Sequence, residues 1–105
     1  MLVKLLTGLG LMVLCVAVHA AGLAAAIRWL QRREPGVRQT FGNVTSLLAG
    51  VAAWAVLLHL VEIAAWALVF AWRDALPDLA AALYFSAVTF TTTGYGDLVL
   101  PEGWR

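Results

Sequence analysis

Two long apolar runs and one short one divide the chain, and the polar residues collect between and after them. Residues 5–27 (LLTGLGLMVLCVAVHAAGLAAAI) hold no formal charge. As a helix that run would extend about 35 Å, enough to cross a hydrocarbon core of about 30 Å. Residues 47–72 (LLAGVAAWAVLLHLVEIAAWALVFAW) form a second run, interrupted only by His59 and Glu62, and predict a second, tilted span. The third segment is different in kind. Leu76-Pro77-Asp78 reads as a helix start, with Pro near the first turn and Asp as the cap, followed by a mostly apolar helix over 79–90. Such a helix is about 18 Å long, too short to cross, so it is expected to re-enter on the side from which it came. It runs into Thr91-Thr92-Thr93-Gly94-Tyr95-Gly96-Asp97, where β-branched residues and two glycines cannot prolong it.

Charge placement gives the runs a direction. Between the spans stand Arg28, Arg32, Arg33 and Arg38 against one acid, Glu34, with Pro35-Gly36 as a break. Arginines close to membrane segments stay on the cytoplasmic side. Arg73, Asp74 and Asp78 after the second span give a much weaker basic signal. The expectation is a multi-pass protein of the cell membrane with its amino terminus outside, the Arg28–Arg38 loop cytoplasmic and everything from Arg73 onward outside. Trp29 and Trp72 fall where interfacial aromatic belts lie, whereas Trp54 and Trp66 lie deeper and read as packing bulk or lipid contact. A competing reading makes residues 1–20 a cleaved signal peptide, with Lys4 as its charged start and Val18-His19-Ala20 as its cleavage site. The length of the apolar run and the basic loop behind it favour a retained helix.

Composition then removes whole classes of function. Apolar residues make up 63% of the 105 positions and charged ones 12%, against about 45–50% and 25% in soluble domains. A formal charge of +1 leaves no basic excess to hold nucleic acid. Cys15 is the only cysteine, so no intrachain disulfide forms, and it reads as a small apolar residue. No Cys/His cluster has metal-ligand spacing, and His19 reads as a packing residue with no second ligand in view. Nor is there a nucleophile–base pair, a phosphate loop or a cofactor motif, so catalysis is not expected. His59 and Glu62 lie three apart near the middle of the second span, on neighbouring positions of one face. A carboxylate at that depth is costly unless protonated or paired, so a His59–Glu62 or interhelix hydrogen bond is expected, with a pH-sensing role as the sharper alternative. Gly8, Gly22, Ala25, Ala49 and Ala53 suit close helix packing, with no specific partner assigned.

The segment after residue 90 carries the chemistry. Extended backbone at membrane depth has no helical partners for its carbonyls and is tolerated only inside protein or along a watery path. Successive carbonyls turn to one side when ordinary and mirror-image dihedrals alternate, which is where Gly94 and Gly96 are needed. A column of inward oxygens, repeated around an axis by several chains, replaces the hydration shell of a cation.

These residues resemble the selectivity filter of potassium channels. The pattern T-x-x-T-x-G-Y-G runs through Thr89, Thr92, Gly94, Tyr95 and Gly96, with Asp97 next, and Ala82-Leu83-Tyr84-Phe85-Ser86 looks like the family's pore helix. The resemblance covers roughly the second half of the chain and is similar to small bacterial-type channels with an additional amino-terminal helix. It implies an all-α membrane protein: two transmembrane helices, then a re-entrant pore helix and an extended filter. It also implies two units, residues 1–46 as the amino-terminal helix with its basic loop and 47–105 as a partial pore module. Thr92 would offer hydroxyl and carbonyl at the innermost ring, and Thr93, standing where the family commonly has Val or Ile, would supply further K⁺-binding carbonyls with Gly94 and Tyr95. Gly96 would complete the filter, Asp97 would ring the outer mouth, and Thr89 and Tyr84 would support it from behind. One filter per chain implies a homotetramer in membrane lipid, with K⁺ as the permeant ion and no cofactor.

Departures accompany the match. Where many relatives carry paired tryptophans this chain has Tyr84 and Phe85. Tyr84 can still offer a hydroxyl to Asp97, but Phe85 has nothing to donate to Tyr95, which implies a looser support. Val88 replaces a glutamate that in some relatives pairs with the filter aspartate. The family's inner helix should follow Leu98–Arg105, so the resemblance implies either a carboxy-terminal truncation, the favoured reading, or a partner that supplies that helix. A non-conducting truncated subunit or remnant that associates with an intact channel is the alternative function. A subunit of a potassium-uptake transporter fits less well, since those related filters usually retain only one of the glycines.

Overall fold

The computed structural model describes residues 1–33 and 40–104. It contains α1 (Leu2–Gln31), α2 (Phe41–Trp72) and α3 (Leu79–Phe90), followed by one turn of 3₁₀ helix at Glu102–Trp104. No β-strand occurs among the described residues. The third helix has the expected bounds, whereas both long helices exceed theirs. α1 takes in Lys4 at one end and Arg28 at the other, because long basic side chains lie along a helix while their heads reach water. α2 starts six residues early, after Thr40 in extended conformation, and the Thr45 hydroxyl donates back to Phe41 O at 2.8 Å. Residues 41–46, expected in the loop, are therefore helix. The predicted Pro35-Gly36 break, with Glu34 and Arg38, lies outside the described residues.

At 30 and 32 residues the long helices extend about 45 and 48 Å, more than a hydrocarbon core requires. They run antiparallel. Arg73 at the end of α2 donates to the Thr7 hydroxyl at 3.4 Å, His19 meets Glu62 at 3.0 Å, and Gly22 meets Leu58. Gly22 is needed for that approach, since a Cβ there would stand 2.5 Å from Leu58 Cδ2. Its carbonyl accepts from the Trp54 indole at 2.9 Å, so Trp54 is a helix-to-helix donor as well as bulk. Gly8, by contrast, has open space around it.

The chain then folds back on α2. Asp74 takes a positive φ of 51° and lets Ala75 N–H donate to Phe70 O at 2.9 Å, ending α2. Asp78 caps α3 by accepting from Ala81 N–H at 2.7 Å. Phe85 packs edge-on to Phe70 and Phe90 edge-on to His59, so α3 descends antiparallel along the second half of α2. After Phe90 the backbone climbs again: Gly94 N–H donates to Val88 O, Asp97 meets Tyr84, and Leu98 and Leu100 pack on Ala67, Leu76 and Ala82. Trp104 closes the path against Phe70, with Lys4 over its ring. Descent and return use the same side, so α3 is re-entrant.

The small cluster of Ala67, Leu76 and Ala82 is the best-buried apolar group, while Leu9, Met12, Val16, Leu57, Leu60 and Leu68 are each more than half exposed. Only 11% of the residues in the most apolar stretch of either long helix are buried. Surfaces this apolar on helices this long belong in lipid, and the fold is that of an all-α membrane protein. Replacing Asp78 by Ala is expected to destabilise the α3 start by about 0.5–2 kcal/mol, the cost of losing an N-cap acceptor. Thermal unfolding in detergent, compared between D78A and the D78S variant that keeps a cap oxygen, measures it.

Candidate functional site

The return segment is built by alternation. Thr92, Gly94 and Gly96 have φ values of +59°, +52° and +75°, whereas Thr93 and Tyr95 between them stay in the ordinary half of the map. Every second residue is thus mirror-imaged, the condition under which neighbouring carbonyls can share a direction. Both glycines stand in the open, with no atom within 4 Å of an added Cβ. Their requirement is conformational rather than steric. Thr92, a β-branched residue at positive φ, is the costly member of the series.

Hydrogen bonds around the foot of α3 hold that conformation. Thr91 N–H donates to Ala87 O and Thr92 N–H to Thr89 O, each at 3.0 Å. The Thr91 hydroxyl donates to Ala87 O at 2.8 Å and lies 3.0 Å from the Thr93 hydroxyl, while the Thr92 hydroxyl donates to Thr91 O at 2.7 Å. Thr89 therefore supports the turn through its carbonyl. Thr91, which sequence reasoning left without a role, is the residue that satisfies the last carbonyls of α3. Only its hydroxyl at the first position beyond the helix could have pointed to this.

Higher up, the Tyr84 hydroxyl donates to Asp97 Oδ2 at 2.6 Å and ties α3 to the top of the return segment. This contact holds the Asp97 carboxyl below the usual carboxylate range, and the same hydrogen bond, aided by the burial and charge around it, pushes the Tyr84 hydroxyl up. The ionised acid with the neutral phenol is thus the favoured pair. Its contribution is present at neutral pH, fades as pH falls through the depressed Asp97 value, and fades again as pH rises through the raised Tyr84 value. Behind the return segment lies a cleft of about 150 Å³ lined by Tyr84, Phe85, Val88 and Thr89 on one side and Gly94, Gly96 and Asp97 on the other. Phe85 offers no donor there, and Tyr95 is 73% exposed. All seven residues from Thr91 to Asp97 are exposed on the chain.

A second polar group lies away from this segment. Glu62 is buried, and of the two expected arrangements, a bond to His59 or one between helices, it makes the second: Glu62 Oε1 meets His19 Nδ1 of α1 at 3.0 Å, and His59 Nδ1 bonds Ala55 O at 2.7 Å. A histidine on a helix reaches its own i−4 carbonyl readily, which leaves the carboxylate to the facing helix. His19 is accordingly more than packing, for one ligand-type atom from each of His19, His59 and Glu62 lies within 4.8 Å of the others. The antiparallel register that joins them is invisible in the spacing along the chain.

A family model described as an ion channel matches residues 48–105, more than half of the chain, and the protein belongs to that ion-channel family. The match takes in α2 from residue 48 onward, α3 and the return segment, and leaves α1 outside. No curated protein and no solved structure matches the chain. Channel membership assigns the chain to ion transport across a membrane, points away from catalysis, and suggests an oligomer in lipid.

Removing the Tyr84 hydroxyl should return Asp97 toward an ordinary carboxylate. In Y84F the Asp97 titration midpoint is expected to rise, read from the carboxyl carbon resonance of labelled protein, with α3 unchanged in helicity.

Proposed function

We propose that the protein is a subunit of a potassium-selective channel, conducting K⁺ passively through a filter formed by Thr92, Thr93, Gly94, Tyr95 and Gly96 of four identical chains. The observation that carries this reading is the alternation of backbone handedness at Thr92, Gly94 and Gly96, in a segment that a re-entrant helix delivers to membrane depth. In a lone chain these residues are exposed, an untenable state for non-helical backbone in hydrocarbon. Closing four copies around an axis encloses them and sets their carbonyls in stacked rings. Those rings stand in for the water around K⁺. The carboxyl end of α3 points into the membrane at Phe90, so its partial negative charge favours a cation below the rings. Asp97, held ionised by Tyr84, adds a ring of charge at the mouth that raises the local cation concentration.

We favour an orientation with the filter mouth outside: Arg28, Arg32 and Arg33 cluster at the far end of α1 from the return segment, and basic residues beside a membrane helix support a cytoplasmic location for that end. Residues 1–46 then form an amino-terminal anchor and residues 47–105 carry the pore.

Potassium-loaded liposomes bearing the protein, with sodium outside, test the proposal. A K⁺ flux well above that of Na⁺ is expected, and comparable passage of the two ions overturns it. In G96A a side chain enters a left-handed position at a cost of about 1–2 kcal/mol per chain, so the preference for K⁺ is expected to be lost while assembly persists.

A further inference from the structure

The group that joins α1 to α2 is not explained by conduction. Glu62 is 5% exposed and sits about two thirds of the way along α2, inside its apolar run, where an ionised carboxylate is expensive and marks a function by default. A single neutral histidine would satisfy its hydrogen bonding. Three groups converge instead: His19 from one helix, and His59 and Glu62 three residues apart on the other. The two imidazoles stack edge to face with centroids 5.2 Å apart, which puts both rings beside the carboxylate.

We propose that His19, His59 and Glu62 bind a divalent transition-metal ion of the zinc class. Two imidazole nitrogens and a carboxylate oxygen are the ligand set that suits Zn²⁺, Ni²⁺ or Cu²⁺, whereas Mg²⁺ and Ca²⁺ take oxygen. The dimensions fit with small side-chain movements. Ligands at about 2.0–2.1 Å from a tetrahedral zinc stand a little over 3 Å apart. His19 Nδ1 and Glu62 Oε1 already lie 3.0 Å from each other, and the third ligand is within 4.8 Å. His59 is also oriented from outside the group: with Nδ1 donating to Ala55 O, its Nε2 lone pair is left for a metal, the arrangement seen around metal-bound histidines. The His19 side chain keeps 35% of its surface, so the group is not sealed between the two helices. Three protein ligands leave a fourth position to water.

The site has a mechanical connection to the pore. His59 also packs edge-on to Phe90, the last residue of α3, at 5.4 Å. Drawing the His59 ring toward Glu62 and His19 alters what supports that residue, two positions before Thr92. A metal ion there would fasten the amino-terminal helix to the outer helix and act on the foot of the pore helix from the side, away from the K⁺ path.

Cobalt(II) is the probe, since a low-coordinate site gives it an intense visible absorption that its hexaaqua ion lacks. Tag-free protein in detergent is titrated with Co²⁺, and then with Zn²⁺ in competition. One Co²⁺ per chain with that absorption, displaced by Zn²⁺, is expected. In H59A and in E62Q, which keeps the shape and a hydrogen bond to His19, affinity should fall by more than the roughly 10–100-fold that loss of an outer partner costs. Helicity by circular dichroism shows that each variant is folded, and H59A carries the test if E62Q is not. Absence of the absorption in the unaltered protein, or equal binding by the unaltered protein and a folded variant, overturns the proposal. Neither result bears on K⁺ selectivity, which the flux assay reads separately.

Discussion

Water cannot reach a backbone in hydrocarbon, so every peptide group there must find its partner within protein, and the described arrangement follows from that constraint. Helices α1 and α2 meet it internally, and their apolar side chains face outward because lipid is the solvent. The return segment cannot meet it internally. Its N–H groups at Thr91, Thr92 and Gly94 are bound to carbonyls at the foot of α3, while its mirror-image residues leave other carbonyls uncommitted. At membrane depth such carbonyls are tolerated only inside protein or along a watery path.

The supports of that segment are local and layered. Thr91 and Thr89 hold its base, Gly94 is tied to Val88 at mid-height, and Tyr84 holds Asp97 at the top. The bonds near the base join α3 to residues a few positions later and Tyr84 reaches Asp97 further along, so helix and return segment form one hairpin-like unit. Where a side-chain donor could have stood behind Tyr95, Phe85 packs on Phe70 instead, joining the unit to α2 by apolar contact. The unit is therefore braced by hydrogen bonds along its height and fixed to α2 by apolar contact.

Local chemistry was legible in the chain and long-range register was not. Leu76-Pro77-Asp78 announced the start of α3 because capping depends on residues three apart, and the contact of Tyr84 with Asp97 followed from residues on one short unit. The two glycines announced their positive φ, but Thr92 joined them against its own preference, since the alternation is imposed by the neighbours rather than by the residue. Both ends of α1 and the start of α2 run past the apolar stretches because charged and hydroxyl residues continue a helix whenever their heads can reach water or a carbonyl, whereas α2 ends at Trp72 as its apolar run does. Of the two partners open to Glu62, a histidine on its own helix or a group on the facing one, spacing alone favours neither, and only the antiparallel crossing at Gly22 and Leu58 brings His19 to it.

The re-entrant path has a bearing on how the molecule is made. Because α3 and the return segment leave by the face they entered, threonine hydroxyls and the Asp97 carboxylate never have to be dragged through the lipid interior. The helical hairpin of α1 and α2 can be inserted on its own during synthesis, closed by its glycine notch, and the polar loop tucked in afterwards from the aqueous side. Insertion of the hairpin and folding of the return segment are thereby separable events.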